Sequence, residues 1–212
     1  MRYRIADIET CAHPDAGQWL EPVTAAANLK DPVKIAANIA EKTAERDDKL
    51  GLDPDCCRIV ALGWHDVGYG DPRVEICKDE HEEALQLAIF WSSYRQHETK
   101  LVTFYGRQFD LPVLLRRSMY LGIKAPPLNL DRYRSPHVDL WDALTFNGAL
   151  RTAHGLKFYQ KRLGLPTLDK VDGSEIAALV AAGKWEAVRD HCLSDVGLTH
   201  ALANKLGLLE VA

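Results

Sequence analysis

Apolar and polar positions alternate with period two at the start of the chain, where residues 3–8 read as a short strand closing in a polar turn at Glu9-Thr10-Cys11. The pattern then changes. Asp31-Pro32 opens a helix with proline at its first position, KIAANIAEKTAERDDKL continues it, and Gly51 with Asp53-Pro54 stops it. Residues 14–57 therefore read as a helical insertion between strands. RIVALGWHDV (58–67) is a buried strand, 68–72 a turn and 73–77 its hairpin partner. Residues 82–98 are helical, with Leu85, Ala88, Ile89 and the Trp91 region as the apolar face, and KLVTFY (100–105) is a further strand. Gly106 turns the chain into a helix over 111–121. A proline-rich loop (125–136) then leads to four helical segments beginning near Val138, His154, Gly173 and Trp185. Strands first and helices later, with mixed connections, predict an α/β fold with a central mixed β-sheet flanked by α-helices.

A chain of 212 residues carries one sizeable core, so a single domain over 1–212 is expected. Its 47% hydrophobic and 26% charged content is ordinary for a globular protein, and no apolar run is long enough to cross a bilayer. The start MRYRIADIET is too short and acidic for a signal peptide, so a cytoplasmic home with no membrane partner is expected. Five cysteines without a CxxC pair read as reduced thiols. The net charge of −4 excludes a domain that coats nucleic acid by bulk charge. Between Arg107 and Arg162, however, ten Lys or Arg face four acids. This stretch is either a phosphate-tracking surface or a solvated face offset by acids elsewhere.

The chemistry lies in acids at element boundaries. Asp7 and Glu9 are two apart at a strand end, so they share one face of the sheet. Asp110 follows a strand and opens a helix, as a cap, a ligand or both. His191 and Asp195 lie four apart on a helix, either as a solvated pair or as part of a functional face among Leu193, Val196 and Leu198. Four carboxylates brought together from three places repel one another unless cations neutralise them. Oxygen donors of this kind suit Mg²⁺ or Mn²⁺, and two such ions can hold the attacking and leaving oxygens of a displacement at phosphorus. Phosphodiester hydrolysis is the expected reaction.

The order of these motifs resembles the DEDD 3′→5′ exonucleases, and among them the proofreading-like exonucleases related to the exonuclease domain of family B DNA polymerases. Asp7-Ile-Glu9-Thr10 matches D-x-E-T and Phe109-Asp110 matches F-D. His191-x-x-x-Asp195-Val-x-x-Thr199 stands in the place of Y-C-x-x-D-V-x-x-T. His137-Val-Asp139-Leu, Gly155-Leu-Lys157 and Leu163-Gly164 are similar to the segments between the second and third motifs.

The resemblance implies a ribonuclease H-like fold and two Mg²⁺ or Mn²⁺ ions per site. It also implies stepwise release of nucleoside 5′-monophosphates from single-stranded 3′ ends, with DNA as the expected substrate. It makes Asp7, Glu9, Asp110 and Asp195 metal ligands and adds His191 to the catalytic set as general base, at a spacing where the family has tyrosine. Thr10, Tyr105 and Arg107 are the expected nucleic-acid contacts. Tyr105 stands where asparagine is usual and is either a base-stacking ring or a strand-end core aromatic; Arg107 is a phosphate contact or an ordinary loop arginine. Asp139 reads as a helix cap or a supporting acid near the site. Alternatives of the same fold are a weakly active or inactive nucleic-acid-binding module and an exoribonuclease. With no polymerase domain in the chain, proofreading would act in trans beside a separate polymerase.

Overall fold

The computed structural model describes residues 1–95, 98–166 and 169–209. Five strands, β1 (Arg2–Ala12), β2 (Cys57–Asp66), β3 (Arg73–Ile76), β4 (Thr99–Thr103) and β5 (Val138–Asp139), form one sheet in the order β3-β2-β1-β4-β5. β2 runs antiparallel to both β1 and β3, whereas β4 runs parallel to β1 and β5, so the sheet is mixed, as the pattern predicts. The helices are α1 (Ala16–Trp19), α2 (Pro32–Asp47), α3 (Glu80–Ser92), α4 (Asp110–Tyr120), α5 (Leu140–Leu144), α6 (Leu156–Leu163), α7 (Ile176–Ala181) and α8 (Trp185–Lys205), with 3₁₀ turns at Leu50–Leu52 and Gly173–Glu175. No helix among the described residues is long and apolar enough to cross a membrane.

Period-two alternation in β1 decides which layer meets which chemistry. Ala6 and Ile8 pack with Leu87, Phe90 and Leu114 of α3 and α4 on one face. Tyr3 and Ile5 pack with Leu156, Val196, Leu198 and Leu202 of α6 and α8 on the other. Asp7 and Glu9 continue the second set, so their carboxylates face α8. That helix buries Val188, His191, Cys192, Val196, Thr199, Leu202 and Ala203, a stripe at helical spacing. Each large aliphatic side chain it buries contributes roughly 1.5–3 kcal/mol.

Three local expectations need correcting. β1 does not turn at Glu9 but runs on to Ala12, with a register shift between Glu9 and Thr10, because the long β2 pairs along it as far as Cys57. The helix at Val138 begins only at Leu140, since Val138 and Asp139 pair with Val102 and Thr103 as edge strand β5. α3 starts earlier than expected, capped by Asp79 accepting from the Glu82 N–H at 2.9 Å, and stops at Ser92; residues 96–97 of the expected helix lie outside the described residues. Its inward face is also different. Trp91 is buried as expected, but Leu85 and Ile89 are exposed and Ala88 is half-buried, whereas Glu83, Leu87 and Phe90 are buried. Glu83 goes inside because Arg117 meets both its oxygens at 2.7 and 2.8 Å and the Ile59 N–H donates to it at 3.0 Å. A pattern that counts glutamate as polar rotates this helix the wrong way.

α2 opens where Asp31-Pro32 predicts, with the Asp31 side chain accepting from the Val33 N–H at 2.9 Å. No residue of α2 is buried, so the helix rides on the outside. Ala16, Leu50 and Cys56 on either side of it are buried together, and at the 3₁₀ turn the Thr10 hydroxyl donates to the Gly51 carbonyl at 2.6 Å. All five cysteines are free and buried.

Candidate active site

Three elements bring the acids together. Asp7 on β1 sits opposite Gly63 of β2. A Cβ at Gly63 would stand 2.7 Å from Cys192 Sγ and 2.8 Å from Val196 Cγ2, so the missing side chain is what lets α8 lie close to the sheet. His191, Cys192 and Asp195 occupy the stripe of α8 that this approach turns toward β1. Asp110 arrives from β4, the parallel neighbour of β1, at the first residue of α4. Phe109 stands at the cap position, and the Asp110 carboxylate is buried at the cavity wall.

The loop between β4 and α4 is held by Asp139, whose carboxylate accepts from the backbone N–H groups of Tyr105 at 3.0 Å, Arg107 at 2.9 Å and Trp141 at 2.9 Å. Asp139 is thus the helix cap expected of it, and a bolt for the loop as well. Tyr105 pays with a φ of 62°, left-handed backbone that a bulky residue adopts only under constraint.

Asp7, Asp110 and Asp195 border a cavity of about 450 Å³ whose walls include Leu52, Phe104, Tyr105, Phe109 and Leu156. Burial, then the charges of Glu9, Asp110 and Asp195, hold Asp7 well above the usual carboxylate range. Burial does the same to Glu9, followed by Asp195 and Asp110, and raises Asp195 and pushes Asp110 up to about 7. Asp7 Oδ2 and Asp195 Oδ1 are buried without a hydrogen-bond partner among the described residues. Unsatisfied buried carboxylate oxygens crowded by like charge are what a cation site needs and what a packed core avoids.

Asp7, Glu9 and Cys192 offer ligand atoms within 4.8 Å of one another, as do Glu9, His191 and Asp195. Burial, then the neighbouring carboxylates, raises the Cys192 thiol well above its usual value, so it stays protonated, and it donates to the Asp7 carbonyl oxygen at 3.7 Å. The donor set is therefore dominated by hard oxygens and fits a Mg²⁺-like ion better than a thiophilic one.

A measurable pH dependence follows for the metal-free protein. An acid whose folded pKa lies above its unfolded value binds more protons in the native state, so stability falls as pH rises between the two. For Asp110 that window runs from the ordinary value of about 4 to about 7. The melting temperature of the metal-free protein should fall across it, and Mg²⁺ or Mn²⁺ at about a hundred times its Kd should restore about 5–10 °C at pH 8. A melting temperature that rises steadily over this pH range would contradict the site's electrostatics.

The remaining expected residues divide. His191 is buried, with Nε2 3.5 Å from Glu9 Oε1 and 4.0 Å from Asp195 Oδ2. Tyr105 is 42% exposed on the cavity wall, with its ring edge-on to Trp141 at 4.8 Å, so it is not a core aromatic. Thr10 points to the Gly51 carbonyl and borders a neighbouring cavity with Gly51, Leu52 and Ser174. Arg107 is not an open loop arginine: its Nε donates to Asp142 at 2.6 Å and its guanidinium also meets the Leu130 carbonyl. Arg117, Arg132 and Arg116 of the basic stretch are likewise engaged by Glu83, Asp142 and Asp55.

Sequence reasoning missed Asp169, whose two oxygens lie 3.3 Å from His191 Nδ1. No spacing links a loop residue to a helix 22 positions later. It missed Gly63 too, although a lone glycine inside an apolar strand does signal a close backbone approach.

A family model described as a predicted 3′-5′ exonuclease related to the exonuclease domain of PolB matches residues 53–210. The match includes Asp110, His191 and Asp195 and begins beyond Asp7 and Glu9, which are joined to it by the geometry above. No curated protein matches the sequence significantly.

Among solved structures, the family B DNA polymerase of the hyperthermophilic archaeon Pyrobaculum calidifontis is similar with a TM-score of 0.63 at 16% identity, over 97% of this chain and 24% of that one. E. coli exonuclease I in complex with a dA16 oligonucleotide gives a TM-score of 0.44 at 17% identity, over 99% of this chain and 46% of that one. The chain thus spans about a quarter of the polymerase and under half of exonuclease I. At such identities the polymerase likeness carries the fold alone, and that fold is ribonuclease H-like. With residues 53–210 of its 212 matched, the chain belongs to the predicted 3′-5′ exonucleases related to the exonuclease domain of PolB.

Proposed function

We propose that this protein hydrolyses the terminal phosphodiester of single-stranded 3′ ends, DNA first among them, releasing nucleoside 5′-monophosphates. The observation that carries this reading is the convergence of Asp7, Glu9, Asp110 and Asp195 beside an apolar-walled cavity, with two carboxylate oxygens left unsatisfied. Two Mg²⁺ or Mn²⁺ ions held by these four residues would neutralise them and stabilise charge on the attacking and leaving oxygens. His191 Nε2, facing Glu9 and Asp195, takes the proton from the attacking water. The walls formed by Leu52, Phe104, Tyr105 and Leu156 suit a base and exclude water around the reacting phosphate.

A route for the strand beyond the cavity is also supported. From Tyr105 a chain of ring contacts runs through Trp141 at 4.8 Å, Phe104 at 6.0 Å, Tyr159 at 6.4 Å and Phe158 at 5.3 Å to His154 at 3.9 Å. The stretch between Asp142 and Asp169 contains no acid, and its Arg151, Lys161 and Arg162 are exposed. Aromatic rings together with exposed cations are the features that hold single strands without reading sequence.

The test is digestion of 5′-labelled single-stranded DNA and RNA with Mg²⁺ or Mn²⁺. The expected result is a ladder that shortens one nucleotide at a time on DNA and is lost in chelator and slowed by His191→Ala. A ladder on RNA alone makes the protein an exoribonuclease, and tight binding with every substrate intact makes it a binding module.

A further inference from the structure

We infer that Asp169 is a positioning residue for His191, fixing which ring nitrogen carries the proton and where the other one points; this rests on the nuclease reading above. Both Asp169 oxygens stand 3.3 Å from His191 Nδ1, and its side chain is only 8% exposed. An ionised carboxylate can only accept, so the contact requires the proton on Nδ1. In the neutral ring Nε2 is then a lone pair, turned toward Glu9 at 3.5 Å and Asp195 at 4.0 Å. The attacking water gives its proton to that lone pair as its oxygen bonds to phosphorus, and the 3′ oxygen leaves with the electron pair of the broken P–O bond.

The surroundings are built to hold the carboxylate in place. Its Oδ1 accepts from the Val171 N–H at 2.8 Å, and the Val171 carbonyl is met by Lys157 Nζ. Asp172 then opens the 3₁₀ turn with a reciprocal capping box through Glu175. Gly173 on that turn faces the same ring, where an added Cβ would be 3.9 Å from His191 Nε2. Asp169 and the carboxylates of Glu9 and Asp195 meet opposite nitrogens of the same imidazole. This separates Asp169 from the four acids and suits an orienting role, as carboxylates orient histidines at metal and acyl-transfer sites.

Asp169→Asn tests this, because asparagine keeps an oxygen for the Val171 N–H while it loses the charge. With single-stranded DNA and Mn²⁺, kcat should fall about 10–100-fold with KM unchanged. In a His191→Ala background the same substitution should have no further effect. Heteronuclear NMR of the histidine ring nitrogens in the metal-free protein should find His191 protonated at Nδ1 in the wild type and should lose that preference in Asp169→Asn.

A loss in the His191→Ala background as large as in wild type would overturn the proposal. So would weaker Mn²⁺ binding by calorimetry with an unchanged tautomer, since Asp169 would then be a ligand. An inactive wild type that still shows the Asp169-dependent tautomer supports the positioning role and sinks the nuclease reading alone.

Discussion

Asp7→Asn is expected to lower the cleavage rate on the order of 10³-fold or more, the equivalent of ~4 kcal/mol of transition-state stabilisation, while raising the melting temperature of the metal-free protein. The two effects have opposite signs for one reason. Asp7 is half-buried, with its Oδ2 enclosed and unsatisfied among the described residues, and burial together with Glu9, Asp110 and Asp195 opposes its ionisation. In the empty fold that charge is a liability, and an amide of the same shape relieves it. On the proposed mechanism the same charge would hold a cation. Thermal melts at pH 8 in chelator, set beside rates in Mn²⁺, separate this from simple unfolding. A variant that melts lower than wild type, or keeps a tenth of its rate, would remove Asp7 from the ligand set.

Gly63→Val should be nearly as damaging, although valine favours strands. The new side chain enters the space held by Cys192 Sγ and Val196 Cγ2, which lie 2.7 and 2.8 Å from its first carbon. Overpacking of this kind costs typically 1–3 kcal/mol of stability. The larger effect falls on the rate, because α8 carries both Asp195 and His191, and a displacement of about 1 Å can cost about 10²-fold. Gly63→Ala should show a smaller loss, and Val196→Ala should recover part of it by reopening the space. Circular dichroism and single-turnover rates on single-stranded DNA decide the matter; an alanine variant as fast as wild type would mean that α8 tolerates the shift.

The mixed sheet, the start of α2 and the placing of the acids on their elements were readable from the sequence because each rests on a local signal. Period two puts Asp7 and Glu9 on one face, Asp31-Pro32 opens α2, and four residues separate His191 from Asp195 on one side of a helix. What could not be read depends on partners far along the chain. Glu83 is inside because Arg117 is there to meet it, and that reverses the apparent face of α3. Arg107 looks like an open cation until Asp142 and Leu130 are brought beside it. Tyr105 takes left-handed backbone because Asp139 fixes the loop, a conformation that nothing in its own neighbours demands. Asp169 is invisible for the same reason, since its meaning comes entirely from the ring it touches.

The close approach of α8 to β1 has a consequence in time as well as in space. Cys192 meets the Asp7 carbonyl across 185 positions of sequence, and Asp195 rides on the same helix. Closing so long a segment is among the entropically costlier steps in folding, and contacts this distant form slowly. A chain still emerging from the ribosome can pair β1 with β2 before His191 and Asp195 of the proposed site have been synthesised. On the proposed mechanism nuclease competence would be gained late, together with the docking of α8 over the sheet.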